Sequence, residues 1–233
     1  MTEEKDFETY LYLSNTNFQI FLFDKKKLKN LYKDELKFED KLNFIDLNKL
    51  SNFLDRNIFK IENLIGKFIQ NISLITESEE NFQVNMSIKK NNDNLNNQKN
   101  LEHTLSEIKD LFKENYQKRN IMHMIINNYL INGETYLSFP SDLNSNNFCL
   151  EVKFISISKE FVFEAEKILG KYHIKIVNYL DGIYIKDFIK EGEIDLARMS
   201  HKIINGFNQN EIVLIPKNID NPGFFEKFFQ LFS

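Results

Sequence analysis

Residues 121–158 constrain the fold more than any other part of this chain. They read IMHMIINNYLINGETYLSFPSDLNSNNFCLEVKFISIS and hold three β-like runs in one span. Residues 121–130 are rich in Ile and Met, and residues 134–139 are short and stop at Pro140. Residues 148–157 alternate, with Phe148, Leu150, Val152 and Phe154 on one parity and Cys149, Glu151 and Lys153 on the other. A period of two over this length predicts a half-buried strand. Asn132-Gly133 follows the first run, and both residues tolerate positive φ, so a tight hairpin is expected there. Residues 141–147 are almost all Ser, Asp and Asn and offer no packing face, which predicts an exposed loop. The stretch is expected to form an antiparallel three-stranded meander between two helices.

The flanking chain reads as further strands and helices. Residues 10–24 (YLYLSNTNFQIFLFD) predict two strands joined at Ser14-Asn15-Thr16-Asn17, and residues 28–33 a third. Residues 46–71 carry Leu50, Phe53, Leu54, Ile58, Ile61 and Ile65 at spacings of three and four, so they predict a helix with Asp46 as N-cap. Strands are expected over 72–76 and 82–89. Residues 91–100 are nearly all Asn, Asp, Gln and Lys and read as a solvated linker. A helix over 101–116 precedes the meander. A second follows over 159–169, capped by Ser158 and ended by Gly170. A strand over 173–179, a turn over 187–193, a helix over 194–206 and a strand over 211–215 complete the reading.

Composition narrows the function classes. A net charge of −4 provides no basic footprint, which argues against nucleic acid as a partner. The single cysteine, Cys149, excludes an internal disulfide and a Cys-based zinc site, and reads as a small core residue. His103, His123, His173 and His201 have no metal-ligand spacing, so no metal is expected. No apolar run approaches the roughly 18 residues of a spanning helix. The acidic start MTEEKDFE is unlike a signal peptide, so a cytoplasmic location is expected. Lys25-Lys26-Lys27-Leu28-Lys29 reads as a solvated basic turn, with anionic lipid as its other reading.

The ordered series Ile121-x-His123-x-Ile125-x-x-x-Tyr129-x-Ile131-Asn132-Gly133, then Pro140, then residues 150–156, resembles the inserted subdomain of the bacterial cell-division actin homologue FtsA. Ile126 stands where that family usually has Pro, Asn132 where it often has Asp, and Asp142-Leu143 where it has Gly-Met. The resemblance implies a mixed α/β fold: a reduced actin-like subdomain with an inserted strand-helix-strand-strand subdomain. It spans residues 8–233 as a shortened architecture, lacking the lobe that in the family holds most of the nucleotide site and the contact with the tubulin-like FtsZ. The implied division is residues 1–96 for the first part of the actin-like subdomain, 97–180 for the insertion, 181–217 for the return, and 218–233 for a tail. Actin-like ATPases carry a phosphate loop D-x-G-[ST] in their first turn, whose Gly lets backbone N–H groups approach phosphate. Ser14-Asn15-Thr16-Asn17 has neither the Asp nor the Gly. No nucleotide cofactor and no catalytic residue are therefore expected.

Behind the break Asn221-Pro222-Gly223, the run FFEKFFQLFS places Phe224, Phe225, Phe228, Phe229, Leu231 and Phe232 on one helical arc of about 160°. Relatives of FtsA end in a comparable helix at the membrane interface, so these six residues are the expected membrane contact, with docking on its own domain or in a dimer as the other reading. The expected partner contact is the loop Ser141, Asp142, Leu143 and Asn144 with the strand edges beside it. Together these readings predict a non-enzymatic adaptor on the inner face of the cytoplasmic membrane, at the division septum. It would bind division proteins, with FtsZ contact left open by the missing lobe, and self-associate. The alternatives are a pilus-assembly-like scaffold and a residual nucleotide-binding protein completed by a partner chain.

Overall fold

A computed structural model describes residues 6–78, 81–91, 98–138, 147–189 and 195–212. It is a mixed α/β protein with two sheets and helices. The chain divides into two compact units, one of residues 1–84, 113–122 and 155–205, the other of residues 85–112, 123–154 and 206–233.

In the first unit, β1 (Phe7–Ser14) and β2 (Asn17–Asp24) form the expected hairpin, with Leu13 opposite Phe18. Next come β3 (Lys29–Lys37) and the helix α1 (Leu47–Ile65). β4 (Asn71–Glu77) then runs parallel to β1. The sheet order is β3-β2-β1-β4-β9, where β9 is Lys175–Asp181 and runs parallel to β4. Parallel strands are buried on both faces, which is why residues 10–13 and 72–76 read as continuous runs. One face carries Leu11, Leu13, Ile20, Leu22 and Leu74 against Phe53, Leu54 and Ile61 of α1 and Ala165 and Leu169 of α3 (Lys159–Gly170). A helix α5 (Leu196–Ile204) packs against β2 and β3, with His201 tilted on Phe23 at 5.2 Å.

Asp46 caps α1 as expected, its carboxylate accepting from Asn48 N at 3.0 Å. The helix ends earlier than expected. Gly66 takes the left-handed conformation at φ 65 and closes it, so residues 67–70 lead into β4 instead. Ser158 caps α3, yet the helix includes Gly170, and the left-handed residue behind it is His173 at φ 58. The expected turn after β9 is preceded by a five-residue helix, α4 (Gly182–Lys186).

The second sheet holds β5 (Phe82–Asn91), β6 (Arg119–Ile131), β7 (Glu134–Tyr136) and β8 (Asn147–Ser158) in the order β5-β8-β6-β7. The Asn132-Gly133 hairpin forms, with both residues at positive φ (51 and 91). The meander does not. β7 is three residues long and pairs only with residues 129–131, so β8 takes the opposite side of β6 and joins it to β5. The alternation in β8 is real: Phe148, Leu150, Val152 and Phe154 are buried, and Cys149, Glu151 and Lys153 are half-buried. A helix α2 (Gln98–Asn115) buries Leu101, Leu105, Ile108 and Phe112, and Phe112 stacks on Phe154 at 4.6 Å.

Two expected boundaries differ from the observed packing. The reading of 97–180 as one insertion assigns α3 and β9 to it, but α3 packs on α1 and β9 extends the first sheet. The reading of 211–215 as a strand of the first subdomain differs too. Glu211 bridges Ile125 of β6 in antiparallel fashion, Ile126 N donates to Asn210 O at 2.8 Å, and Ile212 N donates to Met124 O at 2.8 Å. An unpaired β6 edge offers backbone donors and acceptors, and residues 210–212 supply partners for them.

Candidate functional site

In open α/β sheets, ligands bind beyond the carboxyl ends of the parallel strands. Here Ser14 of β1 lies opposite Glu77 of β4, and Thr76 opposite Asp181 of β9, so the three strands end at one level. Three clusters of side chains occupy this edge.

The first is the turn after β1. Thr16 N and Asn17 N both donate to Ser14 Oγ, at 3.2 and 3.0 Å. The Ser14 hydroxyl faces Asn17 O at 2.9 Å and Asn17 Oδ1 at 2.8 Å, and Thr16 Oγ1 at 3.0 Å. Asn17 Nδ2 and Gln19 Nε2 donate to one oxygen of Glu35, the latter at 2.9 Å. Burial works against the Glu35 charge, but these two amides and nearby Lys37 and Lys33 hold its pKa below the ordinary value. Thr16 O and Asn15 O accept from Phe38 N and Leu42 N. The amides that a phosphate would need at Thr16 and Asn17 are thus spent on a serine hydroxyl.

The second cluster is Tyr12, Glu77 and Lys186. Tyr12 OH donates to Glu77 Oε2 at 2.7 Å, Lys186 Nζ donates to the same oxygen and to Tyr12 OH at 3.1 Å, and the ammonium sits 5.2 Å from the Tyr12 ring centre. Burial opposes the Lys186 charge, yet Glu77 and Tyr12 outweigh it and raise its pKa. Burial first, and Glu77 second, raise that of Tyr12. Gly182 begins α4 against this pair. A Cβ there would lie 3.2 Å from Glu77 Cβ and 3.2 Å from Tyr12 Cε2, so only glycine fits without displacement.

The third is centred on Asp181, which is fully buried. It accepts from Tyr184 N at 2.7 Å as the cap of α4, and from Asn81 Nδ2 at 2.7 Å. Asn81 Nδ2 also donates to Thr76 O at 3.0 Å. The carboxyl edge is therefore a closed polar network: its carboxylates are bound by an ammonium, a phenol, amides and a backbone N–H. No group of three or more His, Cys, Asp or Glu among the described residues is placed to hold a metal ion.

Among the described residues, the second unit holds a buried polar pair. His123, from the series that resembles the FtsA insertion, has a fully buried side chain, and its Nδ1 meets Glu211 Oε1 at 2.6 Å. The motif histidine thus holds the chain segment that pairs with β6. His201 makes the corresponding contact in the first unit, with Nδ1 2.8 Å from Glu8 Oε2. The proposed contacts Phe224, Phe225, Phe228, Phe229, Leu231 and Phe232, and Ser141, Asp142, Leu143 and Asn144, lie outside the described residues. No helix among the described residues is long and apolar enough to cross a membrane. The sequence reading missed Tyr12, Glu77, Asp181, Gly182 and Lys186. Asp181-Gly182 directly behind a strand was the one local signal, an N-cap followed by a residue without a side chain.

No family model and no curated protein matches the chain. Solved structures that resemble it include the cytoplasmic domain of EpsL, an inner membrane component of the type II secretion system of Vibrio cholerae, at 8% identity and a TM-score of 0.36, covering 77% of this chain and 57% of that one. A PilM-PilN type IV pilus biogenesis complex is similar at 10% identity and a TM-score of 0.44, over 76% of this chain and 48% of that one. A Bacteroides thetaiotaomicron protein of unknown function with an actin-like ATPase fold is similar at 14% identity and a TM-score of 0.31, over 80% of this chain and 57% of that one. The chain spans about half the length of these structures.

Proposed function

We propose that this chain is a non-enzymatic scaffold on an actin-like plan, attached at the inner face of the cytoplasmic membrane and serving cell division in the manner of FtsA. The observation that carries the non-enzymatic part is the closure of the first turn, where Ser14 Oγ takes the amides of Thr16 and Asn17. A phosphate would have to displace those bonds and would meet no glycine behind them. The expected result is no ATP binding at millimolar nucleotide, with or without Mg²⁺, in a calorimetric titration of the whole chain. Micromolar, Mg²⁺-dependent binding would overturn this reading and revive the residual nucleotide-binding one.

The partner contact is assigned to Ser141, Asp142, Leu143 and Asn144 and to the edge strand β5 of the second sheet. An edge strand presents unpaired backbone groups that another chain can extend. Deleting residues 100–180 would also remove β9 from the first sheet, so the loop is tested by itself. Replacing residues 141–144 with Gly and Ser is expected to abolish recruitment of a fluorescent fusion to the septum without changing the melting temperature. Recruitment that survives the replacement places the contact elsewhere, and a wild-type fusion that never reaches the septum removes the division setting in favour of the pilus-assembly one.

A further inference from the structure

The end of the first sheet opposite to the closed edge is open. A groove of about 1140 Å³ runs there along the starts of β1 and β4, lined among others by Asp6, Lys25, Lys26, Lys67, Phe68 and Val177. That volume exceeds the roughly 300–1,000 Å³ of small-molecule pockets, so an extended surface is a better fit than a buried ligand. Two local structures build it. Gly66 ends α1 in the left-handed conformation and turns Lys67 and Phe68 outward; Phe68 is 82% exposed. The β2–β3 turn is fixed by Asp24 Oδ1, which accepts from Lys26 N and Lys27 N at 2.9 Å, and by Lys25 N donating to Asp6 O at 3.0 Å.

These two structures bring cations together. Lys26 Nζ pairs with Asp6 at 2.9 Å. Asp6, Lys25, Lys26 and Lys67 line the same groove, and Lys26 first, with burial opposing, then Lys67 and Lys25 hold the Asp6 pKa below its ordinary value. Lys27 in the same turn and Lys29 at the start of β3 are exposed, and the exposed Lys175 is tied to the groove by its backbone N, 2.9 Å from Gln70 O. Of the acidic residues lining the groove, Asp6 is bound by Lys26, and Glu8 is bound by Tyr10 and His201. Lysines around a protruding phenylalanine match an anionic bilayer surface. The ammonium groups meet headgroup phosphates, and the ring enters the interface.

We infer that this groove and its lysine turn are a second membrane contact, which binds anionic phospholipid headgroups through Lys25 and Lys67 and inserts Phe68. The inference rests on the proposed attachment to the membrane and supplies what the aromatic tail lacks. From Lys217 onward that segment has two Lys against one Asp and one Glu, so by itself it discriminates little between anionic and neutral lipid.

The test is co-sedimentation of the full chain with vesicles of phosphatidylglycerol and phosphatidylcholine, and with vesicles of phosphatidylcholine alone. The wild type is expected to prefer the anionic vesicles, with a preference that fades at high salt. A lysine near an anionic surface is worth roughly fivefold in binding, so Lys25→Gln with Lys67→Gln should lose about 25-fold on anionic vesicles and almost nothing on neutral ones. Phe68→Ser, at an exposed position, should weaken binding while leaving the melting temperature unchanged. Equal binding to both vesicle types overturns the groove and leaves attachment by the tail standing. An anionic preference that survives the double lysine variant also overturns it. Binding to neither vesicle overturns both the groove and the proposed attachment. Saturation by polyglutamate without vesicle binding would reassign the groove to an acidic peptide.

Discussion

Phe228→Asp with Phe229→Asp is expected to lower binding to neutral vesicles by at least roughly a hundredfold, with the melting temperature unchanged. Each buried phenylalanine contributes roughly 1.5–3 kcal/mol, less at an interface that covers it only in part. The double variant removes two of six apolar side chains from the arc and places a carboxylate at each position. The remaining four cannot offset the cost of ordering a three-turn helix in water. Stability should not change, because Asn221-Pro222-Gly223 separates the segment from the residues that pair with β6. A helix docked on its own domain predicts the reverse: no vesicle binding by the wild type and a large loss of stability in the variant. One copy should bind weakly, and self-association that presents several such segments at once should bind much more tightly. Co-sedimentation and a melting curve on the same two proteins separate these outcomes.

Glu211→Ala is expected to cost the second unit about 2–3 kcal/mol, because it leaves a buried imidazole N–H without its acceptor. The His123 side chain is 0% exposed and Glu211 is nearly buried, so water cannot readily replace the lost carboxylate. The loss should be local as well as global. Ile126 N and Ile212 N donate across the same pairing, and their hydrogen exchange should accelerate more than that of amides in β8. Glu211→Gln retains a side-chain oxygen and should recover part of the loss. Unchanged denaturation midpoints and exchange rates in Glu211→Ala would show that the 2.6 Å contact contributes nothing to holding residues 210–212 on β6.

Both expectations turn on whether a feature is local or long-range in the chain. The Asn132-Gly133 hairpin, the period-two burial of β8, the caps at Asp46 and Ser158 and the hairpin around residues 14–17 all follow from neighbours a few residues apart. Their physics is contained in φ preferences, capping geometry and side-chain period, and each was readable in the sequence. The missing Asp and Gly in the first turn were readable too. What replaced them was not, because the amides could have faced solvent; only the folded turn places Ser14 Oγ on both.

The rest depends on which strands meet. Three runs separated by a tight turn and a long loop fit a meander and the observed order equally well by pattern. The brevity of β7, which leaves most of the β6 edge open, decided between them. That same open edge drew in residues 210–212, which the sequence reading had placed in the first subdomain. Tyr12 and Lys186 are 174 positions apart, and Asn81 and Asp181 are 100 apart, so neither contact has any local signature. The groove is a similar case. Its lysine run was visible and read as a solvated turn, but the left-handed Gly66 that brings Lys67 and Phe68 to the same place acts only once α1 has packed on the sheet. The sequence by itself showed most of the elements, though not α4 or the end of α1, and its first turn lacks the residues of a phosphate loop of the usual kind. Tertiary structure decided their partners, because strand pairing is settled by which edges remain unsatisfied after the hydrophobic faces are buried.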